Sequence, residues 1–129
     1  MNYLISPLLK DEEIQIFKKK LEENNEYWED GRKTAGSYAA KVKNNLQLNR
    51  NSEASQNLSK LIINKLLSNP LIKSFSLPKK IHGIMFSKSC EGMKYGRHID
   101  NAFMPSGRAD LSFSIFFNEK ESYKGGELI

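Results

Sequence analysis

At 129 residues, 39% of them hydrophobic and 27% charged, the chain has the size of one domain and enough apolar material for a buried core, which argues against a disordered polar segment. The formal charge of +5 and a pI near 9.3 would favour a nucleic-acid or anionic-membrane partner if the basic residues formed one patch, but they are dispersed and no specific nucleic-acid partner is expected. A single cysteine excludes an internal disulfide framework and a multi-cysteine zinc site, and it fits a reducing, cytoplasmic location.

The first ten residues hold no basic region followed by an apolar run of signal-peptide length. No stretch approaches about 18 apolar residues, so no membrane partner is expected. After Ser6-Pro7, Asp11 is placed to cap a helix whose first turn carries Glu12 and Glu13 at its positive end. Ile14, Phe17 and Leu21 recur at helical spacing, Lys18, Lys19 and Lys20 lie on the opposite face, and Asn24-Asn25 end the segment. Tyr27-Trp28 predicts a short strand entering a turn at Glu29-Asp30-Gly31, since Asp-Gly tolerates positive backbone angles. The polar stretch from Gly36 to Asn51 is loop-like in composition, although it holds Val42, Leu46 and Leu48.

A second helix is predicted from Ser52 or Ser55, with Leu58, Leu61, Ile62 and Leu66 as its apolar stripe and Asn69-Pro70 as its stop. Leu71, Ile72 and Phe75 continue as a short helix. Beyond Pro78 the pattern changes to strands: Ile81 to Phe86, then Lys94 to Asp100 after a link through Gly92. Leu111, Phe113, Ile115 and Phe117 alternate with Ser112, Ser114 and Phe116, the period-two pattern of a strand with one apolar face. Asn118 to Gly126 forms a turn-rich connection in which Gly125-Gly126 allows a tight turn, and Glu127-Leu128-Ile129 opens another strand. Helices first and strands after predict an α+β domain, a helical layer over about residues 1–78 on an antiparallel β core from about residue 79.

His98-Ile99-Asp100 carries the chemistry. Residues i and i+2 of an extended strand point the same way, so an imidazole nitrogen and a carboxylate oxygen can reach one metal ion. That donor pair suits Fe(II) in sites that use two histidines and one carboxylate and leave positions open for a cosubstrate and dioxygen. Alone, the spacing equally fits a surface histidine beside an aspartate. Tyr95 falls on the opposite face by parity and is either core packing or a cosubstrate contact. His82, on the preceding strand, is expected to be a satisfied structural histidine, and Cys90 a structural or surface thiol. Ser112 and Ser114 either line the cavity or face solvent.

Four blocks occur in order: Trp28-Glu29-Asp30-Gly31-Arg32 with Thr34, Gly36 and Val42-Lys43-Asn44-Asn45; Tyr95-Gly96-Arg97-His98-Ile99-Asp100; Arg108-Ala109-Asp110-Leu111-Ser112; and Ser122-Tyr123-Lys124-Gly125-Gly126-Glu127-Leu128. Together they resemble the bacterial PKHD-type hydroxylases, a branch of the prolyl 4-hydroxylase-like Fe(II)/2-oxoglutarate dioxygenases. The resemblance implies a double-stranded β-helix (jelly-roll) core, Fe(II) held by His98, Asp100 and a distal histidine, and 2-oxoglutarate and dioxygen as cosubstrates, with ascorbate in a supporting role. It also implies hydroxylation of a small-molecule or peptide substrate coupled to oxidative decarboxylation of 2-oxoglutarate.

In that family the third ligand and the basic anchor for 2-oxoglutarate fall beyond Ile129, so the resemblance casts this chain as the amino-terminal part of such an enzyme. Relatives also tend to carry a tyrosine within the stretch matching Phe86-Ser87-Lys88-Ser89, where this chain has none. Arg108-Ala109-Asp110 is expected to steady the motif loop through an ion pair or a backbone hydrogen bond. The asparagines of Lys43-Asn44-Asn45 either bind substrate or satisfy loop backbone groups. Two further outcomes stay open: a non-catalytic remnant acting as a binding or assembly module, and one half of a split enzyme. Either would pair with a complementing chain or a second copy through an exposed sheet edge.

Overall fold

Helix α1 (Asp11–Glu23) begins where three acidic residues occupy its first turn. In this computed structural model, which describes residues 3–128, the cap lies one residue earlier than the sequence suggests. Asp11 is the first helical residue, and Glu13 reaches back to accept the Lys10 backbone N–H at 2.9 Å. Asn24 closes the other end by donating its side-chain amide to the Lys20 carbonyl at 2.8 Å. Glu13 also pairs with Lys65, tying α1 to the longer helix beside it.

That longer helix, α3 (Glu53–Ser68), follows a short α2 (Ser37–Ala40) and is capped by Ser52, whose hydroxyl accepts the Ser55 N–H at 3.2 Å. Asn69 then ends α3 and caps α4 (Pro70–Ser76), accepting the Ile72 N–H at 3.1 Å. Leu58, Ile62 and Leu66 of α3 are buried as the stripe predicts. Leu61 is not: it is 46% exposed, and Ser55 takes the buried place at the head of the stripe.

The strands are short. Strand β1 (Trp28–Asp30), reached through a 3-10 turn at Asn25–Tyr27, pairs antiparallel with β3 (Leu46–Leu48), and β3 pairs antiparallel with β4 (Ser87–Lys88), giving the order β1-β3-β4. Strand β2 (Lys43–Asn44) pairs with β5 (Lys94–Tyr95), and β6 (Phe103–Met104) forms a hairpin with β7 (Gly107–Arg108). The central strand of the largest sheet therefore lies inside the stretch expected to be a loop. Lys43, Asn45 and Gln47 are buried on one side while Leu48 enters the core from the other, so both faces are covered and the polar buried residues disguise the strand.

Leu48 of β3, Phe17 of α1, the three α3 residues and Phe86 form the core. Burying each such side chain contributes roughly 1.5–3 kcal/mol relative to exposure. Phe117 stacks on Phe17 with ring centroids 5.5 Å apart.

Three predicted strands are corrected. Residues 111–117 are in no strand among the described residues, the strand expected over 81–86 reduces to Phe86, whose carbonyl accepts the Leu48 N–H at 3.0 Å just before β4, and the strand expected over 94–100 ends at Tyr95. Strand structure requires a neighbour for its N–H and C=O groups, which side-chain alternation alone does not supply. The alternation at 111–117 still directs packing in part: Ile115 and Phe117 lean on the core, whereas Leu111 and Phe113 are exposed. Ser112 and Ser114 are exposed as well. Gly125 and Gly126 have φ of 80° and 76°, angles that suit glycine, but the chain makes no tight turn there; its bend falls at Tyr123 and Lys124. Glu127 and Leu128 form no strand, and Ile129 lies outside the described residues. The architecture is α+β with small antiparallel sheets. Among the described residues no helix is long and apolar enough to cross a membrane.

Candidate metal centre

Strands β2 and β5 build the site. Their register sets Lys43 opposite Tyr95, and the next residue, Gly96, donates its backbone N–H to the Val42 carbonyl at 2.8 Å. A Cβ on Gly96 would stand 3.1 Å from the Val42 Cβ, so the close approach of the two backbones needs the missing side chain.

The chain leaves the ladder at Gly96 and turns back, so His98 and Asp100 meet in a loop and not on one face of a strand. The His98 Nδ1 lies 2.8 Å from the Gly96 carbonyl oxygen. A carbonyl can only accept, so Nδ1 carries the hydrogen, and the lone pair of the neutral form would lie at Nε2. That Nε2 faces the Asp100 Oδ1 at 3.3 Å. Two acceptors at this separation repel unless a cation, a proton or a metal ion, stands between them.

The residues fit a metal. Two ligands each about 2.1 Å from an ion and at right angles stand about 3 Å apart, close to what His98 and Asp100 show. A ring N–H held by a backbone carbonyl is also the usual support of a metal-bound histidine. Among the described residues no third histidine, cysteine or carboxylate joins them.

Tyr95 is where parity misleads. Its ring stacks on His98, centroids 3.7 Å apart and planes 10° from parallel, because the turn at Gly96 cancels the strand alternation. Burial, and then the nearby Asp100 carboxylate, push the Tyr95 hydroxyl above its ordinary pKa. On its other side Tyr95 meets Lys43, whose Nζ lies 4.8 Å from the ring centroid.

Behind Lys43 runs a polar row, buried at Lys43 and Gln47 and open to solvent at Thr34 and Met85. Lys43 Nζ lies 3.4 Å from the Thr34 hydroxyl, Thr34 bonds the Gln47 side chain, and Gln47 donates to the Met85 sulfur at 3.4 Å. The sequence named this segment only for its asparagines, and the inward facing of Lys43 and Gln47 was not read from it. The available signal was the polar alternation at positions 43, 45 and 47.

The loop after Asp100 is pinned as expected. Ala109 donates its backbone N–H to Ala102 at 2.8 Å, and Arg108 pairs with Asp110 at 2.7 Å. His82 holds the hairpin by bonding Ser106 Oγ at 2.8 Å and the Arg108 carbonyl at 3.0 Å. Both of its ring nitrogens are thus used, which fits a structural histidine and leaves none for a metal. Cys90 is exposed.

No protein-family model matches the chain. It is 65% identical over all 129 residues to a PKHD-type hydroxylase of Prochlorococcus marinus strain AS9601, and 64% identical over 129 residues to one of strain MIT 9215. A third, from strain NATL1A, is 52% identical over 128 residues, 99% of the chain. The chain spans 58% of the length of each of these relatives.

Proposed function

The whole chain is homologous to PKHD-type hydroxylases, and from that premise we propose that it supplies the iron-binding part of an Fe(II)/2-oxoglutarate-dependent hydroxylase. The observation that carries this reading is the facing of the His98 lone pair and the Asp100 carboxylate. A proton or a metal ion between them would join the two groups, and both suit a hard-to-borderline divalent cation.

In this reading His98 and Asp100 hold Fe(II), and a third ligand comes from outside the described residues. When bound, the iron supplies the activation of dioxygen that couples oxidative decarboxylation of 2-oxoglutarate to substrate hydroxylation, and the helices and small sheets form one part of a jelly-roll enzyme. The work of the chain itself is positional. The Gly96 carbonyl fixes the histidine tautomer, the Tyr95 ring covers one face of the imidazole and keeps water off it, and the Ala102–Ala109 bond holds the segment after Asp100. The substrate stays a small molecule or a peptide.

The test is an anaerobic Fe(II) titration followed by succinate release from 2-oxoglutarate, run on this chain joined to the remainder of such a hydroxylase. The joined protein should bind iron and release succinate, and His98→Ala and Asp100→Ala should each abolish both. A joined protein that binds no iron, or variants that bind and turn over like the parent, would end this reading.

A further inference from the structure

Lys43 is 4% exposed, yet its ammonium has thin company. It has one weak hydrogen bond, to Thr34, and the face of Tyr95. Among the described residues no carboxylate pairs with it. Asp30 is the acidic group whose field reaches it, but the Arg32 guanidinium binds both Asp30 oxygens, with Nε at 3.0 and 2.9 Å. Arg50 adds a second positive charge to the neighbourhood, and burial together with that repulsion holds the Lys43 pKa below its ordinary value.

A buried cation without a counter-charge is costly, and evolution or drift can remove the cost by a single change to an apolar residue of similar length. Its position is what gives the charge a use. Lys43 is the cross-strand partner of Tyr95, whose other face stacks on the His98 ring, so an anion at Lys43 lies one aromatic ring away from the metal-ligand pair. The flanking groups can share in holding a carboxylate: the buried Gln47 amide and the Thr34 hydroxyl, which opens the row to solvent, adjoin Lys43.

We propose that Lys43 is the docking cation for a carboxylate group held next to His98 and Asp100. This rests on the hydroxylase reading only for the identity of the site; the carboxylate can belong to the 2-oxo acid cosubstrate or to an acidic substrate.

The experiment measures melting temperature and equilibrium binding on the chain with metal removed by chelator, using 2-oxoglutarate in one arm and N-acetyl-aspartate in the other. The parent should bind one of them, and Lys43→Met should weaken that binding about tenfold or more while raising the melting temperature of the ligand-free chain. Lys43→Arg should keep part of the binding. The arm that shows dependence on Lys43 assigns the carboxylate to cosubstrate or substrate. Absence of binding in both arms, or equal binding by the Met variant, overturns the proposal. So does a Met variant that melts lower and an Arg variant equally weak, since Lys43 would then be structural. A separate Fe(II) titration distinguishes the two readings: loss of iron binding by the joined parent protein sinks the hydroxylase and leaves the carboxylate result standing.

Discussion

The Gly96 carbonyl accepts the His98 Nδ1–H at 2.8 Å, so a residue without a side chain sets the tautomer of the candidate ligand. The same residue donates to Val42 at 2.8 Å, which places the aim of the imidazole under the control of strand β2, more than fifty residues away in sequence.

Gly96→Val should therefore act at a distance from the metal. Its Cβ would lie 3.1 Å from the Val42 Cβ and 3.4 Å from the Val42 carbonyl oxygen, forcing the ladder apart and moving the carbonyl away from Nδ1. Loss of such outer support typically costs 10–100-fold in metal affinity, so if the proposed Fe(II) site is right, about that loss is expected by anaerobic Fe(II) titration of this chain fused to the unmatched part of a PKHD-type relative. Nitrogen-15 shifts of His98 should show a mixture of tautomers in place of one. Unchanged affinity and an unchanged tautomer would disconnect Gly96 from the site.

Leu58 and Leu61 lie three residues apart on α3 and should behave very differently. Leu58 is 1% exposed and Leu61 is 46% exposed. Leu58→Ala should lower unfolding free energy by about 3 kcal/mol through lost transfer energy and the cavity left behind, and Leu61→Ala by less than about 1 kcal/mol. Urea denaturation of both variants measures the contrast, and equal losses would show that the helix is rotated from the orientation described.

The contrast between these leucines also shows how far the sequence could be read. Helix ends were legible because Ser52, Asn69 and Pro70 act locally through their own hydrogen bonds and fixed angles. Strand β3 was not, since Asn45 and Gln47 face inward and hide its period behind polar side chains. Leu111 to Phe117 shows the opposite failure, clear alternation with no ladder partner among the described residues. In the site, His98 and Asp100 do meet as the sequence pairs them, but in a loop past the end of β5 and not through the strand spacing from which the pairing was argued. Tyr95 and Lys43 were not legible, because their contacts depend on the β2–β5 register and on the turn at Gly96, which are non-local.

Asp30 gives the fold one acid-sensitive contact. Its carboxylate accepts from the Arg32 backbone N–H at 2.9 Å as well as from the guanidinium, and these bonds hold its pKa at about 2, against an ordinary 3.8. A carboxyl whose pKa falls on folding stabilises the folded state fully above its unfolded value, and that contribution disappears as pH falls from 3.8 through about 2. The stability difference between the parent and Asp30→Asn should shrink across that window and be constant above it. Solvent exposure keeps the effect small. A difference independent of pH would show that the carboxylate does not hold this geometry in solution.

Gly31 and Asn45 make a demanding pair away from the candidate metal site. The Asp-Gly sequence suggested a glycine kept for a positive backbone angle, but Gly31 is not among the positive-φ residues; what it avoids is collision. A Cβ there would overlap the Asn45 side-chain oxygen, while the Gly31 N–H donates to the Asn45 carbonyl at 2.8 Å. That side-chain oxygen is buried and has no hydrogen-bond partner among the described residues. Gly31→Ala should therefore destabilise by about 1–3 kcal/mol through overpacking. Asn45→Ala removes an unsatisfied acceptor together with its packing and should cost less. Because the alanine at 45 also clears the space that the new methyl needs, the double variant should be more stable than the sum of the two losses predicts. The expected coupling is about 0.5–3 kcal/mol, read from urea denaturation of the four proteins in the cycle. Additive losses would mean that the two residues do not touch, and that the β1–β3 register beneath the polar row differs from the one described.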